Sequence, residues 1–179
     1  YRAYGRIAGM SAAAIRLRLA ETRDAQGIAL MSRDLIESGL GWRYDAPRVA
    51  RGITDRDTVA LVACDGPRLV GFAMMHFGEE RAHLGLLAVR PPYRRRGIAR
   101  RLVEWLVESA RVAGIASIHL ELRASNEAAK RFYHTLGFSG TTLVPGYYLG
   151  KEAALRMLRV LRQTCVAPYS WRPPRLDPH

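Results

Sequence analysis

Six arginines fall between Arg90 and Arg101, and they surround a single glycine, Gly97. The stretch runs Leu86-Leu87-Ala88-Val89-Arg90-Pro91-Pro92-Tyr93-Arg94-Arg95-Arg96-Gly97-Ile98-Ala99-Arg100-Arg101-Leu102. Its apolar run ends at Val89, and two prolines stop it from continuing as ladder or helix. Apolar residues then recur at helical spacing through Ile98, Leu102, Trp105/Leu106 and Ala110. This reads as strand, turn, helix, with Gly97 and the small Ala99 at the helix mouth. The unpaired amides of a first helical turn point outward, and the helix dipole favours an anion there. Small residues let the backbone close on a phosphate, and the arginines add positive field. The chemistry implied is a pyrophosphate seat; the alternative is a solvated basic helix start. No Gly-Lys-Ser/Thr follows and G-x-G-x-x-G is not satisfied, which excludes those two nucleotide loops.

With 179 residues and 49% apolar content, the chain has the composition of one globular domain. Such a domain buries roughly two-thirds of its unfolded surface. No run approaches the ~18 apolar residues of a membrane-spanning helix, so no membrane partner is expected. Residues 1–9 lack an apolar core of signal-peptide type, and Met10-Ser11 is a candidate natural start. The formal charge is +12, and every basic residue but Lys130 and Lys151 is arginine. Outside 90–101 the arginines are spread along the chain, without an aromatic-interleaved basic stretch or zinc-finger spacing. That pattern argues against nucleic acid and for a phosphorylated cofactor or an acidic surface. Cys64 and Cys165 form no C-x-x-C pair, so a reduced, cytoplasmic setting is expected. The five histidines (His76, His83, His119, His134, His179) show no metal-ligand spacing, and no metal is expected.

The elements that must position this loop follow from periodicity and turn chemistry. Residues 15–19 alternate as a half-buried strand. Thr22 or Asp24 then caps a helix to about Ser38, with Ile28, Met31 and Leu35 on its stripe and Gly39 as its stop. Residues 40–47 form a loop whose Trp42 and Tyr44 either pack beneath it or face a substrate. Pro47 to about Arg51 opens a short second helix. Residues 58–63 and 69–77 make a hairpin about Asp65-Gly66-Pro67-Arg68. The next strand, 82–89, contains Gly85, which marks a bulge or a close backbone approach. After the helix to about Ala113, residues 115–122 form a strand with Ile118, Leu120 and Leu122 on one face. His119, Glu121 and Arg123 share the other face. Ser125 or Asn126 caps a helix whose stripe is Ala129, Phe132, Tyr133 and Leu136, ended by Gly137. Residues 138–143 read as a strand, Pro145-Gly146-Tyr147-Tyr148 as a loop, and 163–179, with four prolines, as an irregular tail. Residues 152–162 are helix-prone by propensity alone.

Arg94-x-x-Gly97-x-Ala99 resembles the Arg/Gln-x-x-Gly-x-Gly/Ala acyl-CoA loop of the GNAT N-acetyltransferase superfamily. At the usual distance, Asn126-x-x-Ala129-x-x-Phe132-Tyr133-x-x-x-Gly137-Phe138 resembles that superfamily's second signature. The resemblance covers about 15–161, leaving 1–14 as an N-terminal extension and 162–179 as a Pro-rich tail. It implies a single α/β domain with a mixed, mostly antiparallel sheet, splayed between strands 4 and 5 and flanked by helices. It also implies a strand at about 153–160, against the local propensity, and tertiary pairing can override propensity. By position, acyl-CoA would lie in the splayed gap as the acyl-donor co-substrate. Arg94 and the amides around Arg95, Arg96, Gly97, Ile98, Ala99 and Arg100 would hold its pyrophosphate. The backbone of Leu87 and Val89 would pair with the pantetheine arm. An Ala88 or Val89 amide would polarise the thioester carbonyl. Asn126 would touch the pantetheine or order the site, or else serve as a plain helix cap.

The reaction implied by the resemblance is attack of a free amine on the acetyl thioester. An ammonium must lose a proton, the oxyanion needs a donor, and the departing thiolate benefits from a proton. Tyr133 occupies the family's general-acid position; as a residue on the helix stripe it can equally be a core aromatic. Leu120-Glu121-Leu122-Arg123-Ala124-Ser125-Asn126 resembles a segment of the RimI-type (ribosomal-protein-alanine) N-acetyltransferases that carries a catalytic glutamate. Glu121 is thereby the candidate base, or else a surface carboxylate bridged to Arg123. Tyr147 and Tyr148 resemble the tyrosines of peptide N-terminal acetyltransferases in the loop before the last strand. With Trp42 and Tyr44 they are the candidate acceptor-binding residues, although the Trp42-Arg43-Tyr44 loop departs from the expected peptide-binding segment. The expected acceptor is a protein or peptide α-amine. The alternatives are a small-molecule amine, or a catalytically silent CoA-binding module, in a monomer or homodimer.

Overall fold

The middle of the sheet is where two strands run side by side and then part. Strand β4 (Arg81–Val89) and strand β5 (Ser117–Arg123) are parallel and register at Arg81↔Ser117, Ala82↔Ile118 and His83↔His119 only. The other pairs are antiparallel: β1 (Arg16–Leu19) on β2 (Thr58–Asp65), β2 on β3 (Arg68–Phe77), β3 on β4, β5 on β7 (Glu152–Val160), and β7 on β6 (Ser139–Tyr148). The sheet order is thus β1-β2-β3-β4-β5-β7-β6. The computed structural model describes residues 15–162, so the expectations for 1–14 and for the stretch 163–179, Cys165 included, lie outside the described residues.

Four helices cover the sheet. α1 (Ala25–Leu35) and α2 (Ala46–Thr54) lie on one face, over Val62, Phe72, Met74, Leu86 and Ala88. α3 (Ile98–Val112) and α4 (Glu127–Thr135) cover the other face, over Leu61, Ala73, Met75, Leu84, Ile118 and Leu120. The stripe Ile98, Leu102, Leu106, Ala110 of α3 is fully inside, as its spacing predicts.

Gly85 is the extra residue of a bulge. Met74 registers with Leu86 while Met75 registers with Leu84, so Gly85 has no partner on β3. One residue inserted into a period of two reverses the alternation beyond it. Leu84 therefore packs on the α3/α4 side while Leu86 packs on the α1/α2 side.

The structure corrects several boundaries. The first helix begins with a 3₁₀ turn, Thr22–Asp24, and ends at Leu35 rather than near Ser38. Its last turn gives way because Glu37 folds its carboxylate back onto Ser32 Oγ (3.1 Å). Asp24 does not cap α1; its carboxylate accepts the Glu21 amide (2.7 Å) and the Arg18 guanidinium. α2 starts earlier and runs longer than expected because Asp45 caps it, accepting the Arg48 amide at 2.9 Å. Residues 145–148, expected as a loop, belong to β6. There the register passes from Val144↔Ala154 to Tyr148↔Glu152, so that residues 145–147 oppose Ala153 alone. Pro145 offers no donor and Gly146 turns at φ +65°, so the strand bulges without ending. The helix-prone stretch is strand β7, held between β5 and β6, with Ala154 and Met157 fully buried.

Arg18 ties β1 to the entry of α1 through a two-pronged pair with Asp24, at 2.7 and 2.8 Å. Those hydrogen bonds hold the Asp24 carboxyl below the usual aspartate range, against the opposing effect of burial. A lowered folded pKa contributes stability that is complete above the unfolded value near 3.9 and lost as pH falls through the folded one. The stability difference between wild type and Arg18→Ala should therefore be constant at neutral pH and shrink as pH drops below about 4. Urea unfolding at pH 7 and pH 3 measures it; an undiminished gap at pH 3 would show that the pair contributes nothing.

Candidate active site

The turn between β4 and α3 leaves a row of backbone donors open. Arg101 donates to the Gly97 carbonyl at 3.0 Å, but none of the amides of residues 95–100 has a protein acceptor among the described residues. Arg95 and Gly97 both take left-handed backbone, φ +63° and +74°. That geometry turns successive N–H groups to one side as an anion-binding concavity. A Cβ on Gly97 would meet nothing within 4 Å, so glycine is required there by its φ and not by crowding.

Most of the arginines in this stretch brace the turn. Arg90 Nε donates to the Leu69 carbonyl (2.8 Å), Arg94 Nε to the Val89 carbonyl (3.0 Å), and Arg101 to the Ile15 carbonyl (3.1 Å). Arg96 stacks over Tyr93 at 5.2 Å, and Arg100 bonds Thr135 Oγ1 at 3.0 Å. Among the described residues only Arg95 of the six makes no side-chain contact of these kinds. With the Val89 carbonyl taken by Arg94, Val89 offers only its amide on the edge turned away from β3. Leu87 is half-buried on the α3 side of β4, and Ala88 lies on the opposite face.

Glu121 stands on the polar face of β5, two residues past the last β4–β5 pair. It does not bridge to Arg123, which pairs instead with Glu152 at 2.7 Å. Its Oε2 lies 2.6 Å from His83 Nε2, and its Oε1 accepts from Arg156 Nε at 2.9 Å. Burial alone would raise this carboxyl, but the two hydrogen bonds outweigh it and hold it below the usual range. These residues line an open cavity of about 580 Å³ with His76, Arg81 and His119. His119 is held neutral first by burial and then by Arg81, and its Nε2 lies 3.0 Å from Ser117 Oγ. His83 and Arg156 had not been singled out from the sequence. Each is placed by register, His83 opposite His119 and Arg156 opposite Glu121, and strand register across a crossover is not written locally.

Tyr133 approaches from the other face. It is buried on α4, edge-on to Phe132 (5.1 Å) and Phe138 (5.5 Å), and burial pushes its phenol far above the usual range. Its hydroxyl has no hydrogen-bond partner among the described residues, yet it is not a sealed, unsatisfied group. The ring is thus part of the core while the hydroxyl remains accessible. Asn126 does act as the cap of α4, its Oδ1 accepting the Ala129 amide at 3.0 Å.

Tyr147 and Tyr148 meet edge to face at 5.0 Å. Burial and then the Glu121 charge raise Tyr147; burial and then Tyr147 push Tyr148 up to about 12. Both remain protonated donors at neutral pH. Arg123 covers the Tyr148 ring at 5.5 Å. Tyr44 packs against the α1/α2-side core under Arg48 (4.8 Å) and points its hydroxyl at Gly85. Trp42 instead donates to the Tyr44 carbonyl within its own loop (3.1 Å), and no contact ties it to the gap. The group that shapes this loop is Glu37, buried, accepting the Arg43 amide (2.8 Å) and the Tyr44 amide (3.3 Å). Among the described residues no group of three or more His, Cys, Asp or Glu could hold a metal.

Residues 29–138 match the model of the Acetyltransferase (GNAT) family. The [ribosomal protein bS18]-alanine N-acetyltransferase of Escherichia coli K12 is 38% identical over 93 residues, 50% of this chain and 63% of that protein. The chain thus spans just under two-thirds of that relative's length. N-alpha-acetyltransferase 30 of Schizosaccharomyces pombe is 33% identical over 104 residues, 55% of this chain and 69% of that protein. The crystal structure of the ribosomal-protein-S18-alanine N-acetyltransferase from Escherichia coli superposes with a TM-score of 0.74 at 25% identity. It covers 87% of this chain and 99% of that one.

Glu37→Ala should free the 37–44 loop, because two amides and the Ser32 hydroxyl lose their acceptor at a cost of about 1–3 kcal/mol. Hydrogen exchange at Arg43 and Tyr44 should accelerate; unchanged protection would mean that something else holds the loop.

Proposed function

The chain belongs to the Acetyltransferase (GNAT) family, and from that premise we propose that it transfers an acetyl group from acetyl-CoA directly to the α-amine of a protein or peptide. The observation that carries the reading is the β4–β5 gap, open past His83 and His119 and bordered at its mouth by the unpaired amides of residues 95–100. An anion at the helix mouth with an extended arm beside β4 fits both. Residues 15–161 are taken as the acyltransferase domain.

The residues fit CoA in kind. Amides 95–100 and Arg95 suit a pyrophosphate, while Arg94 and Arg96 serve by bracing the turn. The amides of Leu87 and Val89 border the gap as donors for a pantetheine arm and a thioester carbonyl. The Ala88 amide, expected as an alternative donor, faces β3 instead, because Arg90 donates to Val70 and amide direction alternates along a strand. Bound there, acetyl-CoA supplies an activated acetyl group. Tyr133 gives its phenolic proton to the departing sulfur, a role suited to a group whose burial keeps it protonated. The acceptor ammonium loses its proton on the opposite face, where Glu121 lies. Asn126 acts through the cap, setting the start of α4 and hence the position of Tyr133.

For the acceptor, the two relatives reported above are named for N-terminal acetylation of proteins, and Tyr147 and Tyr148 suit an extended peptide. Their rings offer apolar contact and their hydroxyls a donor to a peptide carbonyl. An α-ammonium, near pKa 8, gives up its proton about two units more easily than a lysine side chain.

The test is thiol release from acetyl-CoA with short peptides bearing free or acetylated N-termini. Free α-amines should be turned over at least tenfold better than blocked, lysine-containing peptides. Turnover of small amines alone would sink the peptide reading, and absence of turnover with retained CoA binding would leave a CoA-binding module. Tyr133→Phe should lower kcat ten- to a thousandfold with CoA affinity nearly intact. Full activity in that variant would reduce Tyr133 to a packing residue.

A further inference from the structure

We propose that the base which deprotonates the acceptor amine is His83, and that Glu121 is the positioning residue that holds its imidazole. The inference rests on the acetyl-transfer reading above and assigns its proton acceptor.

Glu121 is poorly placed to be the base itself. Both of its oxygens are engaged, one by His83 Nε2 at 2.6 Å and one by Arg156 Nε at 2.9 Å. Its side chain is only 13% exposed, whereas that of His83 is 49% exposed at the cavity. A carboxylate that accepts two such hydrogen bonds is a weakened base. What it does well is to hold a neighbouring imidazole in one tautomer, with Nε2–H donating to it and Nδ1 left as the lone-pair acceptor.

The free nitrogen points where a nucleophile needs it. An ideal Cβ built on Gly85 would lie 3.8 Å from His83 Nδ1 and 3.9 Å from the Tyr44 hydroxyl. Nδ1 and that hydroxyl therefore both border the space that a side chain at position 85 would fill. Gly85 is the bulge residue two positions beyond the last β4–β5 pair, at the opening of the gap. The bulge thus removes a side chain from the path between the imidazole and the parting strands. His119, also in the cavity, is less suited, since its Nε2 lies 3.0 Å from Ser117 Oγ and burial lowers its basicity.

The protons balance as follows. His83 Nδ1 takes one proton from the acceptor ammonium and later releases it to solvent. The amine nitrogen forms its bond to the acetyl carbon and the carbon–sulfur bond breaks. Tyr133 protonates the leaving sulfur and recovers the second proton that the amide nitrogen sheds. One proton leaves per turnover, as acetylation of an ammonium requires.

The groups facing His83 are Glu121 and His119 from β5, Arg156 from β7, His76 from β3, Arg81 from β4 and Tyr44 from the loop before α2. The experiment measures kcat/KM against pH for acetylation of a free-amine peptide. Wild type should show an acid limb. His83→Ala should lose a hundredfold or more in kcat, lose that limb, and recover in part with added imidazole, with CoA affinity unchanged. Glu121→Gln should keep the limb while lowering kcat, because the imidazole is held less firmly. If instead Glu121→Gln abolishes the limb while His83→Ala keeps it, Glu121 is the base and the proposal is overturned. Imidazole nitrogen NMR of the full chain tests the same assignment without catalysis. The Nε2–H tautomer at His83 supports it; the Nδ1–H tautomer overturns it. A wild type that acetylates no amine yet has the Nε2–H tautomer would overturn the acetyl-transfer reading and leave the His83–Glu121 pairing standing.

Discussion

A strand that parts from its neighbour inside a sheet leaves two rows of N–H and C=O groups facing one another across a gap. Backbone groups away from water require partners, so such a gap calls either for closure or for something extended to enter it. Here β4 stays paired to β3 as far as Gly71↔Val89, and β5 stays paired to β7 as far as Arg123↔Ala154. Between them the ladder stops at His83↔His119. The outer edges of both strands are fixed by antiparallel partners, so the inner edges cannot swing together. The opening is a consequence of the topology, and it ends beside the loop whose amides face outward.

The bulge at Gly85 gives the two faces of that gap different characters. Without an inserted residue, Leu84 and Leu86 would share a face. With it, Ala82 and Leu84 complete the core under α3 and α4, while Leu86 and Ala88 serve α1 and α2. The reversal allows the polar His83 side chain and the apolar Leu86 side chain to occupy the same face of one strand. That face is wet at the cavity end and dry beneath the helices. A regular strand would have to be polar or apolar along its whole length on that side.

How much of this was legible depended on the range of the interaction. The helix mouth at Gly97, the cap at Asn126, the stop at Gly137 and the bulge at Gly85 are set by residues within a few positions of one another, and the sequence displays them. Glu121 and Arg123 were rightly placed on one face by alternation, but their partners were not, because His83, Arg156 and Glu152 arrive from other strands through register. Asp45 as a cap was overlooked beside Pro47, and Glu37 gave no signal, since its role depends on a loop folding back over it. β7 shows the limit most sharply. Its local preference is helical, and only its place between two strands makes it a ladder. The family motifs supplied what local preference could not.

The separation of faces also orders the proposed chemistry. Tyr133 lies in the aromatic core, where burial favours the protonated phenol. The imidazole of His83 lies in an open cavity, where a proton once taken can leave to water. The two proton transfers thus act on one molecule from opposite faces of the sheet, at the place where β4 and β5 part: a proton donor held in the core on one side, and on the other an acceptor that water can reach and relieve of its proton.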